Sequence, residues 1–314
     1  VTRLAAQSLT PAVWAWLHTA CHVRVLHVFE RVCNLVADDS SVLSLVTPAV
    51  GNGPFNMVVP PIDFIACITP TDPVDVQPDE LCIGRLMVTT ASAQTWNPFP
   101  DWRRLRQHRD RLLAHEPLIR RVLQEHAPAN SFAHLVVELS PPPSAIEARC
   151  LDVAHEHWRV MVRGLRHLDR DACRSSATHL VGLGSGLTPA GDDWLLGCAL
   201  AAHLGLPTTL AAGLLLSAIR SAAAGTNILS AHWLRAAVQG ACGAPWHAFF
   251  EACVRSDRQQ INHAARHILR QGHSSGADAL AGYVALCRTG ITQDTSYEKR
   301  FCPENEIHPS RPGT

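Results

Sequence analysis

Lysine is almost absent: of the 27 Lys and Arg residues only Lys299 is a lysine, and it sits in a polar C-terminal stretch. A Walker-type phosphate lysine, a Schiff base and a pyridoxal-phosphate anchor each need a lysine in the core, so the sequence argues against all three. A positive group at any site must then be an arginine, a histidine or a set of backbone amides. Net charge is missing as well, at a formal +0. No broad field draws the chain to nucleic acid or to an acidic membrane, and neither partner is expected. The 11 cysteines include no Cys-x-x-Cys pair and are odd in number, which speaks against a zinc or redox site. Cys198 and Cys287 lie in apolar surroundings, where a thiol behaves as a small hydrophobe. Reduced, structural cysteines in a cytoplasmic protein are the expectation. Residues 1–20 lack the ordered parts of a signal peptide. The apolar stretch Leu195 to Ile219 contains His203 and the break Gly205-Leu206-Pro207, which predicts two buried helices in place of a membrane span.

What is present describes a globular chain of 314 residues, 47% hydrophobic and 17% charged, long enough for two domains or one large one. The fold class expected is α+β, a small mostly-β N-terminal domain (1–100) followed by a larger α-helical domain (101–290) and a loose tail (291–314). Short runs rich in Val, Ile and Leu predict strands at Val23 to Phe29, Val42 to Val46, Met57 to Val59, Phe64 to Ile68 and Arg85 to Thr89. Asp38-Asp39-Ser40 reads as a hairpin turn, and Gly51-Asn52-Gly53-Pro54 as a second reversal. A small barrel or sandwich fits this part. Beyond Pro98-Phe99-Pro100 the pattern turns helical, with Trp102 to Gln124 amphipathic and interrupted near Pro117, and Ile146 to Leu168 a second long helix.

Gly182-Leu183-Gly184-Ser185-Gly186 cannot be ordinary helix, because three glycines in five residues cost too much helical entropy. Thr188-Pro189 then reads as a helix start, with Thr188 the N-cap. Loop amides and the positive end of a helix make a place for phosphate or carboxylate, with Gly184, Ser185, Gly186 and Thr188 as candidate substrate contacts. The plainer alternative is a tight turn packed on a neighbouring helix. Asp192 and Asp193 follow in the first turn of that helix. Adjacent helical residues point about 100° apart, so the two aspartates serve different tasks. One could be a helix-dipole partner alone.

Gly191 to Gly197 and Gly276 to Gly282 share the pattern Gly-x-Asp-x-Leu-x-Gly. The repeat matches Asp193 with Asp278. Such a pair could flank one site, bind a substrate amide or hold a magnesium ion. His273-Ser274-Ser275 precedes the second copy, offering an imidazole and two hydroxyls, so Asp193, Asp278 and His273 are the catalytic candidates and Ser274 and Ser275 further substrate contacts. Thr226, Asn227 and Ser230 are polar groups in an apolar stretch that need partners. Asn227 and Asp192 complete the candidate substrate-binding set. No dedicated metal ligands are assigned.

Residues Gly182 to Asp193 resemble the signature of the AllH-type subunit of oxamate carbamoyltransferase, a family formerly described as a domain of unknown function. His273 to Asp278 resembles its second motif, and Gly51 to Phe55 with Phe29-Glu30-Arg31 its N-terminal one; the resemblance runs from about Cys21 to about Cys287. It implies phosphorolysis of oxalurate to oxamate and carbamoyl phosphate, or the reverse, in allantoin and purine breakdown. It further implies a multi-subunit assembly that includes a succinyl-CoA synthetase-like partner. The ligands implied are small anions: carbamoyl phosphate, oxamate or phosphate. Three readings stay open: a carbamoyltransferase subunit, a stand-alone metal-dependent hydrolase or lyase using Asp193 and Asp278, and a non-catalytic binding or assembly subunit.

Overall fold

The computed structural model describes residues 2–141 and 143–290, so the expected tail and Lys299 lie outside the described residues. The chain opens with strands β1 (Thr2–Ala5) and β2 (Ser8–Leu9), helix α1 (Pro11–Thr19), then β3 (Arg24–Val28), β4 (Val32–Val36), β5 (Val42–Val46) and β6 (Asn56–Val58). Helix α2 (Phe64–Cys67) and strands β7 (Val74–Gln77), β8 (Glu80–Ile83), β9 (Leu86–Thr89) and β10 (Gln94–Thr95) complete the β part. The strands form two sheets, ordered β1-β9-β8-β7 and β10-β2-β6-β5-β4-β3. Both contribute to one core, in which Leu35, Leu43, Leu45, Leu81, Ile83 and Val88 meet Val13, Trp16 and Leu17 from α1. Thr10 caps α1 through its side chain, which accepts from Val13 N, and Pro11 fixes the first turn.

Two local expectations fail here. Phe64 to Ile68 is not a strand: Asp63 caps it as a helix by accepting from Ile65 N, leaving Phe64 buried and Ile65 exposed. A short apolar run does not distinguish the two by periodicity. The Gly51 to Pro54 turn does not close a hairpin, because β5 and β6 run parallel, Ser44 opposite Asn56. The Asp38 to Ser40 turn does join antiparallel strands, with Ser40 at φ +66°.

The helical part runs α3 (Trp102–Gln107), α4 (Arg109–Ala114), α5 (Glu116–His126), a 3-10 turn at Phe132–Leu135, α6 (Ala145–His167), α7 (Arg170–Leu180), α8 (Ala190–Ala202), α9 (Thr209–Ala222), a 3-10 turn at Ala223–Gly225, α10 (Ile228–Gln239), α11 (Ala244–Arg255), α12 (Arg258–Leu269) and α13 (Ser275–Gly290). Pro117 sits at the start of α5, where the missing N–H costs nothing. Gly205, at φ +80°, lies between α8 and α9. No helix among the described residues is long and apolar enough to cross a membrane.

Helices α8 and α13 form the centre of this part, and nearly every residue of α8 is buried, as befits a helix that is apolar all round. They touch backbone to backbone. A Cβ on Gly197 would fall 1.7 Å from Ala279 O, and one on Gly282 would fall 2.0 Å from Trp194 O. Those positions correspond within the Gly-x-Asp-x-Leu-x-Gly repeat, so each copy supplies both a glycine and the carbonyl that the other's glycine admits. The first glycines match as well: Gly191 admits Leu180 O from the end of α7, and Gly276 admits Ile268 O from α12. The repeat is therefore two helix pairs, α7 with α8 and α12 with α13, packed reciprocally. The β part leans on this bundle through Phe55, whose ring centroid lies 4.6 Å from that of Trp233 on α10. Asn52 O accepts from Ala244 N at 2.9 Å in the same seam.

Candidate functional site

The glycine-rich turn joins α7 to α8, with no strand beside it among the described residues. Gly182, Gly184 and Gly186 have φ of +74°, +111° and +99°, conformations that a side chain makes costly. The expected N-cap is displaced by one residue, since α8 starts after Pro189 and no side chain caps it. Thr188 instead reaches across to the second motif, its Oγ1 lying 2.7 Å from Ser275 Oγ. That bond joins the turn before α8 to the first residue of α13.

Part of the helix start is already engaged. Gly191 N donates to Leu183 O, and Asp192 N and Asp193 N both donate to Pro189 O. The open donors lie in the turn itself: among the described residues, no protein acceptor pairs with the N–H of Gly184, Ser185, Gly186, Leu187 or Thr188. Gly184, Ser185 and Gly186 are exposed and Thr188 is half-buried.

The two adjacent aspartates have divided tasks, as their angular separation requires. Asp192 is buried with both oxygens occupied, Oδ1 by Gly182 N at 2.8 Å and Oδ2 by the Thr226 hydroxyl. Burial raises its carboxyl above the usual range, and those donors partly offset the shift. Asn227 is also engaged: its Oδ1 caps α10 by accepting from Ser230 N, and its Nδ2 donates to Leu187 O at 2.9 Å. Ser230 Oγ donates to the same carbonyl at 3.3 Å. Asp192, Thr226, Asn227 and Ser230 thus hold the glycine turn against α10.

Asp193 and Asp278 differ from Asp192 in having an oxygen left over. Asp193 is 6% exposed and Asp278 0%. One oxygen of Asp278 accepts from Phe132 N at 2.6 Å, while the buried Oδ2 of each aspartate has no hydrogen-bond partner among the described residues. Desolvation, followed by the charge of Asp278, pushes the Asp193 carboxyl well up, against the pull of the Ser275 and Thr188 hydroxyls. Desolvation also raises Asp278 to about 7, against Phe132 N and the Ser274 hydroxyl. Ser274 and Ser275 are half-buried beside this pair, whereas His273 is exposed. The N-terminal motif residues lie elsewhere, with Phe29-Glu30-Arg31 between β3 and β4 and Gly51 to Phe55 in the seam with α10 and α11. Phe132 N and Leu187 O were not foreseeable, because they are backbone atoms placed by tertiary packing. Among the described residues no three His, Cys, Asp or Glu side chains come together to hold a metal ion, and the ten described cysteines are free.

These features define a class: a mostly-β N-terminal region followed by a helical region in which the starts of two repeated helices meet through Thr188 and Ser275. Residues 180–287 match the family described as oxamate carbamoyltransferase subunit AllH, and residues 6–95 match the AllH family N-terminal domain. The chain belongs to the AllH family. No solved structure matches it.

Proposed function

We propose that this chain supplies the substrate-binding part of an oxamate carbamoyltransferase, which joins carbamoyl phosphate and oxamate to give oxalurate and phosphate, or runs in reverse. The observation that carries the reading is the row of unpaired amides from Gly184 to Thr188 beside the unpartnered oxygens of Asp193 and Asp278. Amides that carry no protein acceptor suit phosphate or carboxylate oxygens, and preorganised donors of this kind stabilise charge that develops during acyl transfer. In the forward direction the oxamate nitrogen bonds to the carbamoyl carbon, the carbon–oxygen bond to phosphate breaks, and the nitrogen gives up a proton. Asp193, facing Thr188 and Ser275, is the group we assign to receive it. Asp192 and Asn227 position the turn, and their engaged atoms leave little for a ligand. His273 stands at the rim.

The family description names a subunit, which supports reading the chain as one part of a larger enzyme. We assign its partners to the remaining carbamoyltransferase subunits, one of them resembling succinyl-CoA synthetase, in a cytoplasmic pathway of allantoin breakdown. The test is reconstitution. The complex containing Asp193→Asn should assemble normally and lose at least about a hundredfold in carbamoyl transfer, the low end for a positioned acid–base group. Full turnover in that variant would refute the assignment.

A further inference from the structure

Helices α6 and α7 form a hairpin whose two ends are held differently. At the closed end, near Leu168, a Cβ on Gly164 would stand 2.8 Å from Cys173 Sγ, so the helices touch closely there. At the open end the contact is a pair of imidazoles: His157 on α6 and His179 on α7 stack with ring centroids 4.1 Å apart and planes 13° from parallel. His157 is half-buried and His179 exposed. His179 Nδ1 donates to Ser175 O at 2.8 Å, which fixes the ring and leaves Nε2 to take a proton. Two neutral rings stack without penalty, whereas two imidazolium rings at this separation repel. The surroundings of His157 favour its neutral form: burial, and then the charge of His179, hold its imidazole below the ordinary value, against the pull of Glu156 on α6. Besides His179, α7 carries Arg170, Asp171 and Arg174 in its first half, the last two paired at 3.2 Å. Of the other elements packed on α6, helix α9 brings Arg220 in its last turn, and the 3-10 turn at Phe132–Leu135 brings His134, bonded to Ala129 O.

The open end of this hairpin leads into the glycine turn. Leu180 follows His179, and its carbonyl oxygen fills the space that Gly191 of α8 leaves free, 1.9 Å from where a Cβ would stand. Two residues further on, Gly182 N donates to Asp192. A displacement of the last turn of α7 therefore reaches both the start of α8 and the first glycine of the turn. We propose that the His157–His179 stack is an acid-sensitive latch: when both rings carry a proton, the end of α7 parts from α6 and the glycine turn loses its fixed shape. The opened hairpin binds more protons at His157 than the stacked one, so by linkage the latch holds above about pH 6.5, the ordinary histidine value, and loosens as the pH falls below it. The latch acts on the shape of the turn and is independent of which anion the turn binds.

Nuclear magnetic resonance on the isotopically labelled full chain tests this without any ligand, by following ring and backbone signals from about pH 8 to about pH 5, the range in which histidine changes charge. As the His157 ring titrates, the amides of Leu180, Val181 and Gly182 should move with the same midpoint. Hydrogen exchange at the last turn of α7, corrected for its intrinsic pH dependence, should quicken at least about tenfold, the mark of a local opening. His157→Phe and His179→Phe each keep an aromatic ring in the stack and remove one proton site, so both should fold normally and keep the neutral-pH exchange rate throughout. Should either fail to fold, His179→Gln, at an exposed position, takes its place with the same expected result. Asp192 is a second titrating group beside Gly182, since burial raises its carboxyl. A Gly182 response that persists in both phenylalanine variants belongs to Asp192 and overturns the latch. A His157 titration that leaves Leu180 and Val181 unmoved also overturns it.

Discussion

Replacing Gly197 by alanine inserts a methyl group where Ala279 O already stands, 1.7 Å from the new carbon. Non-bonded heavy atoms settle near 3.5 Å, so α8 and α13 must separate by roughly 1.5–2 Å. The obstacle is backbone, which no rotamer change can move aside. Overpacking typically costs about 1–3 kcal/mol and sometimes more. Separation also breaks the bond from Cys198 Sγ to Gly282 O, while alanine's better helix propensity returns up to about 1 kcal/mol. The lost bond and the gained propensity roughly cancel, so the net expectation is a loss of about 1–3 kcal/mol. Urea denaturation should show a lower midpoint with the slope unchanged. Gly282→Ala should behave alike, since its methyl would meet Trp194 O at 2.0 Å. Once the first alanine has parted the helices the second costs less, so the double variant should fall short of additivity by more than about 0.5 kcal/mol. A Gly197→Ala protein within about 0.5 kcal/mol of wild type, the range of ordinary surface changes, would refute the reciprocal packing.

Gly213, inside α9, has nothing within 4 Å of where a Cβ would stand, so Gly213→Ala should stabilise the protein by about 0.5–1 kcal/mol in the same assay. Thr226→Val removes a donor from buried Asp192 and should cost about 1–3 kcal/mol; an unchanged midpoint would show that Asp192 does not depend on it. Asp278 is held up to about 7 in the folded chain, against about 3.9 when unfolded, so the folded state keeps a proton that the unfolded state has lost between those values. The contribution of Asp278 to stability should therefore be full below about pH 4, fall by on the order of 4 kcal/mol by about pH 7, and level off above it. Asp278→Asn should flatten that limb in denaturation curves taken across the range, and an identical slope would assign the limb to other groups.

The helices were the most legible part of the fold. The expected helix Ile146 to Leu168 appears as Ala145–His167, with Ser144 and Glu147 forming a capping box and Leu168 closing it at φ +55°. Capping residues and a 3.6-residue apolar period act locally, so sequence shows them directly. The β part was harder to read. β1, β2 and α1 lie in the first 20 residues, and their short strands pair with partners over 40 residues away, a relation that no local pattern carries. At the site, the glycines announced the positive φ values and the repeat announced the matched aspartates. What stayed hidden was the allocation of hydrogen bonds: Asp192 and Asn227 were candidates for ligand contact, yet their polar atoms hold the turn. Residue type reveals that a group needs a partner, whereas tertiary packing decides which partner it takes.

We hold that the turn before α8 binds a small anion through its unpaired amides. Nuclear magnetic resonance tests it most directly, by titrating the isotopically labelled chain with oxamate and with carbamoyl phosphate and following each backbone N–H. Saturable shifts are expected at Gly184, Ser185, Gly186, Leu187 and Thr188, with little change at Gly191, whose N–H is already given to Leu183 O. Saturable binding that leaves those five amides unmoved would contradict it.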